Sequence, residues 1–257
     1  MKQRERRQFL IRALIAEQPR YRGIEIPENA DEQKMLLRSL MNVRMPGKIN
    51  EDFLAIQDEY LQEATKEKGI TDIAELEPVE DAVFLWQGDI TTLRCDAIVN
   101  AANSGMTGCY VPCHGCIDNV IHTYAGIQLR NVCAQIMEKQ GYEEPTGQAK
   151  ITPAFNLPCN YILHTVGPLI MGELTRKDEE LLSSCYRSCL SLADQHGLKS
   201  IAFCCISTGE FRFPNRRAAE IAVQTVRDHH RETKSTINVV FNVWKDIDYE
   251  IYRQLLG

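Results

Sequence analysis

Asp96-Ala97-Ile98-Val99-Asn100-Ala101-Ala102-Asn103 is an apolar run that closes on side-chain amides. Its β-branched centre suits a strand buried on both faces, and the small and polar residues up to Gly108 suit a loop beyond the strand's end. Around it, from about residue 81 onward, short runs rich in Val, Ile and Phe alternate with stretches of helical spacing. The pattern predicts strands at 82–86, 96–100, 149–152, 161–165, 200–205 and 237–243, and helices at 117–139, 176–196, 215–232 and 246–255. Doubly buried strands with intervening helices make a layered α/β sandwich, and such folds bind ligands beyond the carboxyl ends of their strands.

Polar, glycine-bearing segments fall at those ends: Gln87-Gly88-Asp89, the 100–108 segment and Ser207-Thr208-Gly209. The last lies between a strand and a helix, where successive amides can hold phosphate oxygens. Ser, Thr and Gly also serve as plain turn residues. Asn100 and Asn103 are either turn formers or donors to sugar hydroxyls. Neither a G-x-x-x-x-G-K-[ST] loop nor a G-x-G-x-x-G fingerprint occurs, so the common nucleotide motifs are excluded.

Residues 1–80 read differently, as an N-terminal helical extension preceding a main domain at 81–257. Three helical patterns cover 5–17, 31–43 and 51–67, the last capped by Asn50 and ended by Gly69, with no convincing strand. The extension carries no catalytic constellation and reads as a cap packed on the main domain.

The net charge of −6 and pI near 5.6 oppose a general electrostatic grip on nucleic acid. The charged start, MKQRERRQF, has no signal-peptide core behind it, and no apolar run would span a bilayer. A cytoplasmic protein without membrane or nucleic-acid partners is expected. Ten cysteines then read as mostly buried thiols rather than disulfides. Cys109, Cys113 and Cys116 stand apart, crowded around His114. Cys109, His114 and Cys116 have the spacing C-x4-H-x-C, and thiolates with imidazole favour zinc over magnesium or calcium. Three ligands leave a fourth position open, as at a catalytic site. A closed site with Cys113 as fourth ligand, or reduced thiols without metal, are the alternatives. Of the other histidines, His164 reads as a hydrogen-bonded core residue, His196 as a helix C-terminal residue, and His229 and His230 as surface residues.

Taken in order, Gln87–Thr91, 96–103, Gly147–Thr152, His164–Pro168, Ser207-Thr208-Gly209 and Phe213-Pro214 resemble the macrodomain, an ADP-ribose-binding module. The resemblance implies a three-layer α/β/α sandwich with a mixed central sheet. Asp89 would accept from the adenine amino group, with Ile90 beside it. Asn103 would bind the distal ribose. Ser207, Thr208, Gly209, Glu210 and Phe211 would form the diphosphate loop, and Asn242 would border the adenine.

Where ordinary macrodomains have a glycine-rich loop, this chain reads Gly108-Cys-Tyr-Val-Pro-Cys-His-Gly-Cys116 and continues Ile117-Asp118-Asn-Val-Ile-His122. The loop resembles that of zinc-containing macrodomains of the bacterial sirtuin-linked type, which also carry a helical extension. That likeness implies one zinc per chain on Cys109, His114 and Cys116, and Asp118 and Asn103 as catalytic residues. It further implies hydrolytic removal of mono-ADP-ribose from acidic side chains of modified proteins, a lipoyl-carrier protein related to the glycine-cleavage H protein being the implied target. A non-catalytic ADP-ribose reader with structural zinc, or a zinc hydrolase of O-acetyl-ADP-ribose, would use the same pocket.

Overall fold

The computed structural model describes residues 1–257. Three helices come first, α1 (Gln3–Glu17), α2 (Ala30–Val43) and α3 (Glu51–Lys68). Asn29 and Asn50 cap α2 and α3 with their side-chain oxygens. Short strands follow, β1 (Thr71–Asp72), β2 (Pro78–Glu80), β3 (Val83–Gln87) and β4 (Leu93–Arg94), then β5 (Ala97–Ala102). The rest alternates: α4 (Ile117–Ala125), α5 (Ile127–Gln140), β6 (Ala149–Pro153), β7 (Tyr161–Val166), α6 (Arg176–Gln195), β8 (Ser200–Phe203), α7 (Asn215–Thr233), β9 (Asn238–Val243) and α8 (Asp246–Leu256).

Seven strands form one mixed sheet in the order β2-β3-β9-β8-β5-β7-β6. Its five inner strands are parallel, and β2 and β6 close the edges antiparallel. β5 lies between β8 and β7, which is why Ala97, Ile98, Val99 and Asn100 are all fully buried. Helices α6, α7 and α8 pack side by side, while α4 and α5 pack against β5 and β6 and receive the extension through α2 and α3. This is the expected α/β/α sandwich with helices on both faces.

The extension has its own apolar cluster, built on Leu10, Ile11, Leu37, Leu40, Phe53 and Leu61, and it takes in Ile127 from α5. No helix is long and apolar enough to cross a membrane.

The structure corrects the sequence reading in three places. The single helix expected at 117–139 is two, broken at Gly126, which has φ +98. A Cβ there would lie 2.6 Å from both the Gln128 Oε1 and the Gln57 Nε2, so the break makes room for α3 to dock. Residues before 81 do contain strands: β1 pairs with β4, and β2 joins the main sheet. His229 is buried rather than on the surface, its Nε2 2.8 Å from the Asp194 Oδ2. It continues the inward stripe of Ala219, Ala222 and Val226 on α7, a helical period visible in the sequence. His164 is buried and hydrogen-bonded, and His196 caps α6, as expected.

Candidate functional site

The loops that follow β3, β5, β8 and β9 at their carboxyl ends surround a cleft of about 1050 Å³. Asp89, Ile90, Asn103, Cys109, His114, Cys116 and Asp118 line it, together with Ser207, Thr208, Gly209, Glu210, Phe211 and Asn242. Of the site residues singled out above, all but Asn100 and Cys113 therefore face one cavity of nucleotide size. Asn100 is buried beneath the cleft instead, its amide donating to the Asp118 Oδ1 at 2.8 Å and lying 3.2 Å from the His164 Nδ1.

Asp89 caps a 3-10 turn, accepting from the Thr91 amide and hydroxyl through Oδ1. Its Oδ2 meets the Lys68 Nζ at 2.8 Å. Burial pushes the carboxyl up, but the Lys68 and Thr91 bonds outweigh it and hold it below the usual carboxylate range. Opposite, Ser207 takes a left-handed φ of +65 and buries a hydroxyl with no protein partner. The amides of Gly209, Glu210 and Phe211 find no backbone acceptor. Three free donors and a free hydroxyl in one turn suit an anion.

Asp118 lies in the first turn of α4, buried, between two amides. Asn100 holds Oδ1 and the Asn103 Nδ2 reaches Oδ2 at 3.1 Å. Burial raises its pKa to about 6 against the pull of the Asn100 bond. His122 lies one turn on, its Nε2 3.6 Å from the Asp118 Oδ1, buried and kept neutral well below its ordinary pKa by desolvation. Its ring packs under Gly108, where a Cβ would lie 2.8 Å away and where φ is +84. That contact explains the one glycine retained at the start of the cysteine loop.

The ligand atoms of Cys109, His114 and Cys116 all lie within 4.8 Å of one another. The Cys109 Sγ is 3.7 Å from the His114 Nδ1, the edge of a tetrahedron with zinc–sulfur and zinc–nitrogen bonds of about 2.3 and 2.0 Å. Burial pushes the Cys116 thiol up to about 12, and a divalent cation among the three ligands is what reverses such a shift. The His114 Nε2, on the far side of the ring, lies 3.6 Å from the Glu210 Oε1, beyond hydrogen-bond distance. The residues fit a zinc ion. Cys113 turns away: it has φ +53, and its Sγ lies 3.2 Å from the Ser39 Oγ. A second group, His122, Cys133 and His164, is fully buried. There the His164 Nε2 is already hydrogen-bonded to the Thr152 Oγ1.

Sequence reasoning missed Arg38 and Lys68, which bring the extension into the cleft wall, and Trp244 at its rim. Lys68 carried a signal only in lying between the end of the third helical pattern at 67 and Gly69; the structure makes it the last residue of α3. Trp244 follows the strand that holds Asn242.

A mixed sheet with helices on both faces, and a ligand cleft across the carboxyl ends of its parallel strands, define a macrodomain. The macro domain family pattern matches residues 99–222, and the chain belongs to that family. It is 61% identical over its full length to the full length of a protein of Treponema medium named protein-ADP-ribose hydrolase. A Staphylococcus aureus protein of the same name is 47% identical, with 97% of this chain and 94% of that one aligned. Among solved structures, the Trypanosoma brucei macrodomain in complex with ADP-ribose superposes with a TM-score of 0.66 at 31% identity, covering 86% of this chain and 95% of that one.

Proposed function

We propose that the chain is a protein-ADP-ribose hydrolase, and that it removes mono-ADP-ribose from acidic side chains with the help of one zinc. The observation that carries this reading is the convergence, on one cleft, of a buried carboxylate held by two amides and a three-residue soft-metal ligand set. The full-length relatives named as hydrolases support the activity.

In this reading Asp89 accepts the adenine amino group, with Ile90 and Asn242 bordering the base. The free amides around Gly209 and the Ser207 hydroxyl hold the diphosphate. A Cβ at Gly209 would touch no protein atom, so close approach by a ligand is the reason a glycine serves there. Phe211 packs near the distal ribose. Both Nδ2 hydrogens of Asn103 are engaged, by the Gly108 carbonyl and by Asp118. Its Oδ1 accepts from the Gly105 amide and keeps a second lone pair for a ribose hydroxyl. Asn103 therefore orients Asp118 and fixes the sugar together.

Zinc on Cys109, His114 and Cys116 would supply Lewis acidity beside the distal ribose. Asp118, desolvated and anchored at both oxygens, orients the attacking water and takes its proton. Contacts to adenine and diphosphate supply binding energy remote from the reacting carbon. The test is single-turnover release of ADP-ribose from a mono-ADP-ribosylated lipoyl-carrier protein, set beside calorimetric binding of free ADP-ribose. Binding without release would make the chain a reader, and release only from O-acetyl-ADP-ribose would move the substrate to a small metabolite.

A further inference from the structure

We propose that helix α2 is part of the metal site, with Arg38 and Asn42 as positioning residues that hold the 109–116 loop in the shape its three ligands need. The inference rests on the metal reading above. The loop contains no helix or strand; the His114 amide finds the Val111 carbonyl within it, and the groups left over need partners from elsewhere. The extension supplies two of these partners. The Cys113 amide donates to the Asn42 Oδ1 at 2.9 Å, and the Arg38 Nη2 donates to the His114 carbonyl at 2.7 Å. Arg38 acts a second time through Asn119, whose Oδ1 accepts from its Nη2 at 2.8 Å. The Asn119 Nδ2 in turn reaches the carbonyls of Val111 and Cys109 at 2.9 and 3.3 Å. Arg38 is thus tied to the backbone of one ligand directly and to that of another through one side chain.

Asn42 is buried, and its Nδ2 is fixed on the Thr123 Oγ1 of α4 at 3.0 Å. Its amide therefore cannot swing away from the loop. From the other side, Arg130 joins the Thr107 carbonyl to those of Met41, Asn42 and Arg44 at the end of α2. Ligand atoms placed this way lose little freedom when an ion arrives, which is how supporting residues raise metal affinity. The extension, read from sequence as a cap, then acts on the cleft through its backbone clamp.

The test uses the full-length chain. Zinc affinity is measured by competition with a chromophoric chelator for wild type, Arg38→Ala, Arg38→Lys and Gln57→Ala. Gln57 ties the extension to the Ile127 amide, away from the loop. Arg38→Ala is expected to lose about 10–100-fold in zinc affinity, the usual effect of removing a residue that orients ligands. Arg38→Lys, able to reach one acceptor at a time, should fall between, and Gln57→Ala should keep wild-type affinity even with a lowered Tm. Wild-type affinity in Arg38→Ala, or equal losses in Arg38→Ala and Gln57→Ala, would overturn the proposal. Amide hydrogen exchange at Cys113 and its neighbours in metal-free protein separates it from the metal reading. Faster exchange in Arg38→Ala and Asn42→Ala, but not in Gln57→Ala, supports positioning even if wild type takes no zinc. Unchanged exchange in all three contradicts it.

Discussion

The Lys68 Nζ sits 2.8 Å from the Asp89 Oδ2 and 3.3 Å from the centroid of the Tyr124 ring, so the last residue of α3 closes the end of the cleft where Asp89 lies. In the proposed binding mode the adenine amino group would share Oδ2 with this ammonium, because Oδ1 is occupied by Thr91. Asp89→Ala should weaken ADP-ribose binding by about 1.5–3 kcal/mol, the cost of a lost charge-assisted hydrogen bond. The preference for adenine over hypoxanthine should fall with it, since hypoxanthine lacks the amino donor. Calorimetry with both ligands reads the two effects, and unchanged affinity would place adenine recognition elsewhere.

Metal analysis of the purified chain should give one zinc. Cys109→Ala, His114→Ala and Cys116→Ala should each empty the site or lower its occupancy. Cys113→Ala should leave it filled, because Cys113 faces Ser39 and the Met35 carbonyl rather than the other ligands. An empty site in Cys113→Ala with a full one in His114→Ala would reverse the assignment.

Much of this was legible in the sequence because it lay in contiguous blocks. The apolar run read as a doubly buried strand at 96–100 is the buried β5, and C-x4-H-x-C gathered three candidate ligands in one loop, whose ligand atoms lie within 4.8 Å of one another. The break at Gly126 was not legible, since the helical spacing of apolar residues continues through it. Only the docking of Gln57 shows why the chain must turn there. Arg38, Asn42 and Lys68 were invisible for the same reason: they act on loops 21 to 76 residues away in sequence. On an isolated amphipathic helix they read as polar residues of a solvated face.

Removal of the extension should be done after Lys68, because β1 and β2 pair with strands of the main domain. The truncated chain should show poorer solubility and a lower Tm, since Ile127 and the faces of α4 and α5 lose their cover. Differential scanning calorimetry checks it. An unchanged Tm would make the extension an independent unit.

His164 is buried and neutral, its pKa lowered by desolvation to about 3. The unfolded chain takes up a proton near pH 6.5 and the folded one does not. Stability from this group is therefore present above pH 6.5 and lost as pH falls toward 3. Between pH 7 and pH 5 the loss is about 2 kcal/mol. His122 adds in the same direction, and Asp118, with its raised pKa, opposes. Urea unfolding of metal-free wild type and His164→Gln at both pH values isolates the His164 share. Wild type should lose more stability on acidification than the variant, and equal losses would mean that His164 is not buried neutral.

The central claim is that zinc and Asp118 act on the bond rather than on binding. It is tested most directly by single-turnover hydrolysis of a mono-ADP-ribosylated protein, with ADP-ribose affinity measured on the same samples of wild type, verified zinc-free protein and Asp118→Ala. Turnover is expected in wild type alone, with ADP-ribose affinity largely kept in the other two. In the proposed binding mode Asp89, the 207–211 loop and Asn103 would supply most of the binding. Hydrolysis at the wild-type rate in verified zinc-free protein would contradict the claim.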